Sequence, residues 1–164
     1  MKLVTAPQFD LDVFCLKPEK NLFLAGSISS AADWQNILID KGLANLYNVF
    51  NPRRKEFDVS DPKMEKEQIT WEFQCINKLC KNILFWFSYE TVAPITLYEY
   101  GRALAKFSEY KKFYVGIHPD YPRKNDVIIQ TELALGYGVI NFQYSLDDLY
   151  KTIYHDWYYK NYSR

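Results

Sequence analysis

Residues 83–103 read ILFWFSYETVAPITLYEYGRA, and the fold of the whole chain turns on how this stretch is read. Residues 83–88 are an apolar, aromatic-rich run that only the final serine interrupts. A short run of this kind is the pattern of a strand buried on both faces. Residues 89–94 are a break that ends in Pro94. From residue 95 to residue 107 the apolar positions Leu97, Tyr100, Leu104 and Phe107 recur at helical spacing. A buried strand followed by a helix is half of a βαβ unit. Open α/β sheets bind ligands beyond the carboxyl ends of their strands. Glu99 falls in the first turns of the helix that leaves such a strand, next to Gly101, and is a candidate nucleophile or base. The plainer alternative is an acid favoured near a helix N-terminus by the dipole.

Working outward, elements alternate along the whole chain. Residues 21–26 (NLFLAG) read as an apolar strand ending in glycine, and residues 31–43 as a helix capped by Ser29 or Ser30, with Asp33 in its first turn. Residues 46–50 are a strand that Asn51 and Pro52 stop. Residues 53–62 are a charged loop, and residues 64–80 a helix with Ile69, Phe73, Ile76 and Cys80 as its apolar stripe. Gln68, Glu72, Cys75 and Leu79 lie beside that stripe, so Glu72 sits at its margin. Residues 112–117 form a strand, 118–124 a proline-rich loop, 126–135 a helix, 139–142 a short last strand and 146–159 a terminal helix. Residues 1–20 read as an irregular arm or an edge strand. Five strands separated by helices predict one domain over residues 1–164, with a parallel sheet covered on both faces. With right-handed crossovers this is a flavodoxin-like three-layer sandwich, with the strand at residues 83–88 central.

Composition narrows the function. The chain has 164 residues, enough for one full core, and its 20 basic and 20 acidic residues cancel. A binder of nucleic-acid polymers needs clustered Lys and Arg, which this chain does not display. Fourteen Tyr, eleven Phe and four Trp are a heavy aromatic load, suited to a core and to stacking a planar ligand. The three cysteines, Cys15, Cys75 and Cys80, form no CxxC and read as reduced thiols of a cytoplasmic protein. No run approaches the length of a membrane span. His118 and His155 have no metal-ligand spacing, and neither GxGxxG nor GxxxxGK[ST] occurs, so no metal or cofactor is expected.

Five short motifs occur in order: FLAGSI with DWQ at Asp33–Gln35, NPRR at Asn51–Arg54, QITWE at Gln68–Glu72, ILFWF followed by ETVAPITLYEYGRA, and HPDYPRKNDVIIQTELA. Together they resemble the nucleoside 2-deoxyribosyltransferase-like family, with agreeing spacing from about Asn21 to Leu149. The resemblance implies a nucleophilic glutamate at Glu99 and cleavage of an N-glycosidic bond. Such cleavage builds positive charge on the sugar, which a carboxylate below C1′ stabilises and can trap as an ester. The departing base needs an acid, for which Glu72 is the candidate. Gly26, Ser27 and Asp33 are expected to line the pocket floor, Trp86 to stack the base, and Asn51 and Arg53 to contact substrate. Asp126 and Gln130 are expected to complete the sugar pocket of a neighbouring subunit in a homo-oligomer.

The chain departs from the family pattern in places, and one departure bears on substrate. Lys81 and Asn82 stand where an aspartate often precedes the central strand. Gly26-Ser27-Ile28-Ser29 lacks the arginine of the loop in members that act on 5′-monophosphates, which favours free nucleosides. The expected partners are a nucleoside or nucleotide and a free nucleobase. A deoxynucleoside or deoxynucleotide hydrolase and an inactive nucleotide-binding module are the alternatives.

Overall fold

The computed structural model describes residues 1–9, 11–58, 60–106 and 111–162. Five strands form a single all-parallel sheet: β1 (Leu3–Thr5), β2 (Asn21–Gly26), β3 (Asn48–Asn51), β4 (Asn82–Phe87) and β5 (Lys112–Ile117). Their order is β1-β3-β2-β4-β5. Among the described residues seven α-helical segments accompany them: α1 (Leu11–Phe14), α2 (Trp34–Leu38), α3 (Ala44–Leu46), α4 (Pro62–Gln74), α5 (Pro94–Ala105), α6 (Lys124–Leu135) and α7 (Leu146–Tyr162). A π-helical stretch, Ile39–Leu43, joins α2 to α3, and another, Cys75–Leu79, continues α4. This is the expected flavodoxin-like α/β sandwich, but two features differ from the expectation.

The fifth strand is not at residues 139–142. Those residues make no ladder, and the chain there touches the sheet through one parallel bridge, Gly116 to Gln143. The sheet gains its fifth member at the opposite edge, where β1 pairs with β3. The edge-strand reading of residues 1–20 is therefore the one realised. The β4 strand is interior, between β2 and β5, but the middle position belongs to β2. The expected helix at residues 95–107 is realised as α5, and Phe107 lies outside the described residues.

Alternation along β4 divides the core. Ile83, Phe85 and Phe87 point into one layer with Trp71, Cys75, Tyr100, Leu104 and Val127, against α4, α5 and α6. Leu84 and Trp86 point into the other with Trp34, Leu38, Leu149 and Ile153, against α2 and α7. The two indoles of that layer need room. A Cβ on Gly26 would lie 2.6 Å from the Trp34 ring and 2.7 Å from the Trp86 carbonyl oxygen, and one on Gly116 would lie 2.5 Å from the Trp86 ring. Glycine at both positions is a packing requirement.

The strands start on a buried polar seam. Asn48 donates to Asn21 Oδ1 (3.0 Å), Asn21 donates to the Leu79 carbonyl (2.8 Å), and Asn82 donates to the Asn21 carbonyl (3.0 Å). Paired in this way the amides satisfy one another in the core. They also hold β2, β3 and β4 in register at the amino edge, which leaves the carboxyl edge free for a site.

Candidate active site

Between α4 and α5, at the carboxyl edge of the sheet, lies a cleft of about 530 Å³. That volume suits a small-molecule ligand of nucleoside size. The loop at Gly26 to Ser30 forms one wall and the start of α5 another.

The entry to α5 is built with some strain. Ala93 has φ +47°, a left-handed conformation that costs an alanine about 1–2 kcal/mol. Its N–H donates to Thr91 Oγ1 (3.1 Å), and Tyr121 Oη donates to the neighbouring Val92 carbonyl (2.7 Å). Pro94 then begins the helix, where its missing N–H is no loss. The resulting helix turns Thr96 and Glu99 inward and Ile95 and Tyr98 outward. Glu99 is only 8 % exposed, whereas Tyr98 is 68 % exposed.

On the facing helix and its continuation Ile76 and Cys80 are buried as expected, but the first half of the expected stripe is not. Gln68, Trp71, Cys75 and Leu79 face the core, while Ile69 and Phe73 are exposed on the cleft wall. Glu72 is thereby brought to the cleft opposite Glu99. Gln68 fixes it. The amide Nε2 donates to the Pro52 carbonyl (2.8 Å) and to Glu72 Oε1 (2.8 Å).

Two carboxyls removed from water and facing one another cannot both ionise readily. Burial, then the charge on Glu72, raises the Glu99 pKa from 4.5 to about 8, and Arg102 opposes the rise. Burial raises that of Glu72 to about 7, against the Gln68 hydrogen bond. The pair titrates as a unit and holds one proton near neutral pH. One carboxylate and one carboxylic acid in one pocket can act as nucleophile and acid.

Gly26 and Ser27 line the cleft as expected. The other expected residues are elsewhere. Asp33 caps α2, accepting from the Asn36 N–H (3.2 Å), and pairs with Arg53 (3.2 Å). Ser29 and Ser30 are therefore not the cap. Arg53 is committed to Asp33, to Gln35 Oε1 (3.1 Å) and to the Ala32 carbonyl (3.2 Å). Asn51 is buried and accepts from the Arg53 N–H (3.0 Å). Trp86 packs in the α2/α7 layer, on the other side of the sheet from Glu99, so it does not wall the cleft. Asp126 pairs with Arg123 (3.5 Å), and it and Gln130 are exposed on α6, away from the cleft of their own chain. Arg102, Thr96 and Phe57 line the cleft without being site candidates in the sequence, and Phe73, expected in the core, lines it too. Helical spacing from Glu99 places Thr96 at i−3 and Arg102 at i+3, which was the available signal.

The sequence pattern of one family, described as nucleoside 2-deoxyribosyltransferase like, matches residues 19–121. The chain belongs to this family. The matched segment runs from the turn before β2 past β5, and so contains both glutamates and the whole cleft. Comparison with curated proteins gives no match. Among the described residues no helix is long and apolar enough to cross a membrane.

Proposed function

We propose that this family member is a nucleoside 2-deoxyribosyltransferase acting on free 2′-deoxynucleosides. The observation that carries the reading is the pair of desolvated carboxyls, Glu99 and Glu72, in one cleft of nucleoside size. The shared proton rests more on Glu99, whose pKa is the higher, and the reactive form is the one in which that proton has moved to Glu72. In that form ionised Glu99 attacks C1′ as the N-glycosidic bond breaks, and the bonding pair leaves with the base. The Glu72 proton passes to the base as it departs. A neutral glutamyl ester of the sugar remains. Glu72, now ionised, takes the proton of an incoming base, whose nitrogen displaces the Glu99 carboxylate. Two displacements restore the original configuration at C1′.

The basic residues outside the cleft favour a free nucleoside. Arg53 is held by Asp33 and Arg123 by Asp126, and Arg54 is paired, at 3.7 Å, with Glu67. The cleft is open and apolar at its rim, where Ile69, Ile95 and Tyr98 are exposed. A second copy covering that rim with Asp126 and Gln130 would exclude water and favour a base as acceptor.

The test is to incubate the protein with a deoxynucleoside, with and without a second free base, and to follow products by chromatography. Exchange that requires the second base supports the transferase. Release of base and free deoxyribose in both arms replaces it with a hydrolase. Neither reaction, with binding retained, replaces it with a binding module.

A further inference from the structure

A second cavity, of about 280 Å³, lies between the ends of the same two helices. Its lining comes from the last turn of α4 with its π-helical continuation, the end of α5 and the start of β5. It therefore lies toward the amino edge of the sheet, at the other end of the helix pair from the cleft. Phe73 lines both cavities, and no charged residue is common to the two.

Three lysines surround this second cavity. Lys78 stands in the last turn of the π-helical stretch, Lys106 caps α5 and Lys111 precedes β5. Between them the lining is apolar, with Phe73, Ile76 and Phe113. Among the described residues no carboxylate lines the cavity and none pairs with these lysines, whereas Lys41, Lys81 and Lys112 each have an acidic partner. Lys111 Nζ donates to the Ile76 carbonyl and to the Cys80 carbonyl (3.4 Å), and so closes the end of the helix. Burial lowers the Lys111 pKa, Cys80 opposes that, and the charge of Lys106 lowers it further.

The helix dipole favours a cation at a C-terminus, and that accounts for one lysine at each helix end. It does not account for three ammonium groups gathered around one cavity, where each repels the others. An anion in the cavity turns that repulsion into attraction. A phosphate monoester carries about two negative charges and suits point-charge donors such as lysine. The apolar lining has no use for a bare ion, but it suits an organic group. We propose that this cavity is a second ligand site, for a small organic phosphate whose phosphoryl oxygens lie on Lys78, Lys106 and Lys111 and whose organic part lies on Phe73 and Ile76. The site stands outside the cleft of Glu99 and Glu72 and goes beyond the function proposed for them.

The test is calorimetric titration at fixed ionic strength with phenyl phosphate and with inorganic phosphate. Phenyl phosphate is expected to bind about tenfold more tightly, because its ring leaves water. Lys78→Ser/Lys106→Ser should weaken phenyl phosphate at least about tenfold. Lys111 is left in place, since it holds the helix end. Both substituted lysines are exposed, so the variant should unfold at the wild-type temperature. If it does not fold, Lys78→Ser and Lys106→Ser are read singly, each with a loss of about threefold or more. Lys151→Ser/Lys160→Ser, which removes two exposed charges on α7, should leave binding unchanged. Three results each overturn the proposal: wild-type affinity in the cavity variants, an equal loss in the α7 variant, or inorganic phosphate bound as tightly as phenyl phosphate. So does the absence of binding at millimolar phenyl phosphate. The titration needs no turnover, so its outcome is independent of whether the cleft transfers deoxyribose.

Discussion

Glu99→Gln is expected to make the protein more stable and inactive, and the gain in stability should appear only as pH rises. The Glu99 carboxyl has its pKa raised from 4.5 to about 8 by burial and by Glu72. Below pH 4.5 the group is protonated in both folded and unfolded chains and contributes nothing to the pH dependence. Between that point and about 8 the unfolded chain releases the proton and the folded chain keeps it. Stability therefore falls with rising pH across this window, then levels off for this group. Each pH unit is worth about 1.4 kcal/mol, so the full interval approaches 5 kcal/mol. The cleft is open to water and the proton is shared with Glu72, which reduces the expected difference to about 2 kcal/mol. Glutamine copies the neutral acid in shape and cannot ionise. Urea unfolding should show Glu99→Gln and wild type matched near pH 4.5. By pH 8.5 the variant should lead by about 2 kcal/mol, or a Tm about 4–8 °C higher. A variant less stable than wild type at pH 8.5, or an equal difference at both pH values, would refute the desolvated-carboxylate account. The site would then be one that solvates its charges freely.

Three further outcomes are expected. Glu72→Gln should lower kcat by about 10²-fold, most for bases that leave poorly without protonation, and should flatten the alkaline limb of a rate profile centred between pH 7 and 8. Gly26→Ala should lower stability by about 1–3 kcal/mol in thermal or urea unfolding, because neither the Trp34 ring nor the Trp86 carbonyl can move aside cheaply. Light scattering at micromolar concentration should give at least a dimer, since Tyr158, Tyr159 and Tyr162 on α7 and Ile129 and Leu133 on α6 are exposed; a monomer would remove the shared sugar pocket.

The sequence carried the central unit well, for physical reasons. Residues 83–88 carry the pattern of a doubly covered strand, and the break at Pro94 places Glu99 at the mouth of the sheet. Trp86 departs from its expected place because alternation alone does not say which layer an aromatic joins. Glycines 26 and 116, which make room for indoles in the α2/α7 layer, were the missing clue. On α4, hydropathy alone ranks Ile69 and Phe73 above polar Gln68 for the core. The structure reverses them because Gln68 finds partners in Pro52 and Glu72, and the two apolar side chains face the cleft. The expected last strand reduces to a single bridge at Gln143, since the apolar run at residues 139–142 is short and interrupted by Asn141. Asp33 and Arg53 look like ligand groups in sequence, but each satisfies the other.

The most direct measurement is mass spectrometry of the protein after incubation with a 2′-fluoro nucleoside, whose fluorine slows breakdown of a glycosyl ester. Wild type should gain one fluorosugar mass, peptide mapping should place it on Glu99, and Glu99→Gln should gain nothing. An adduct on any other residue, or normal turnover by Glu99→Gln, would contradict the central claim that Glu99 is the nucleophile.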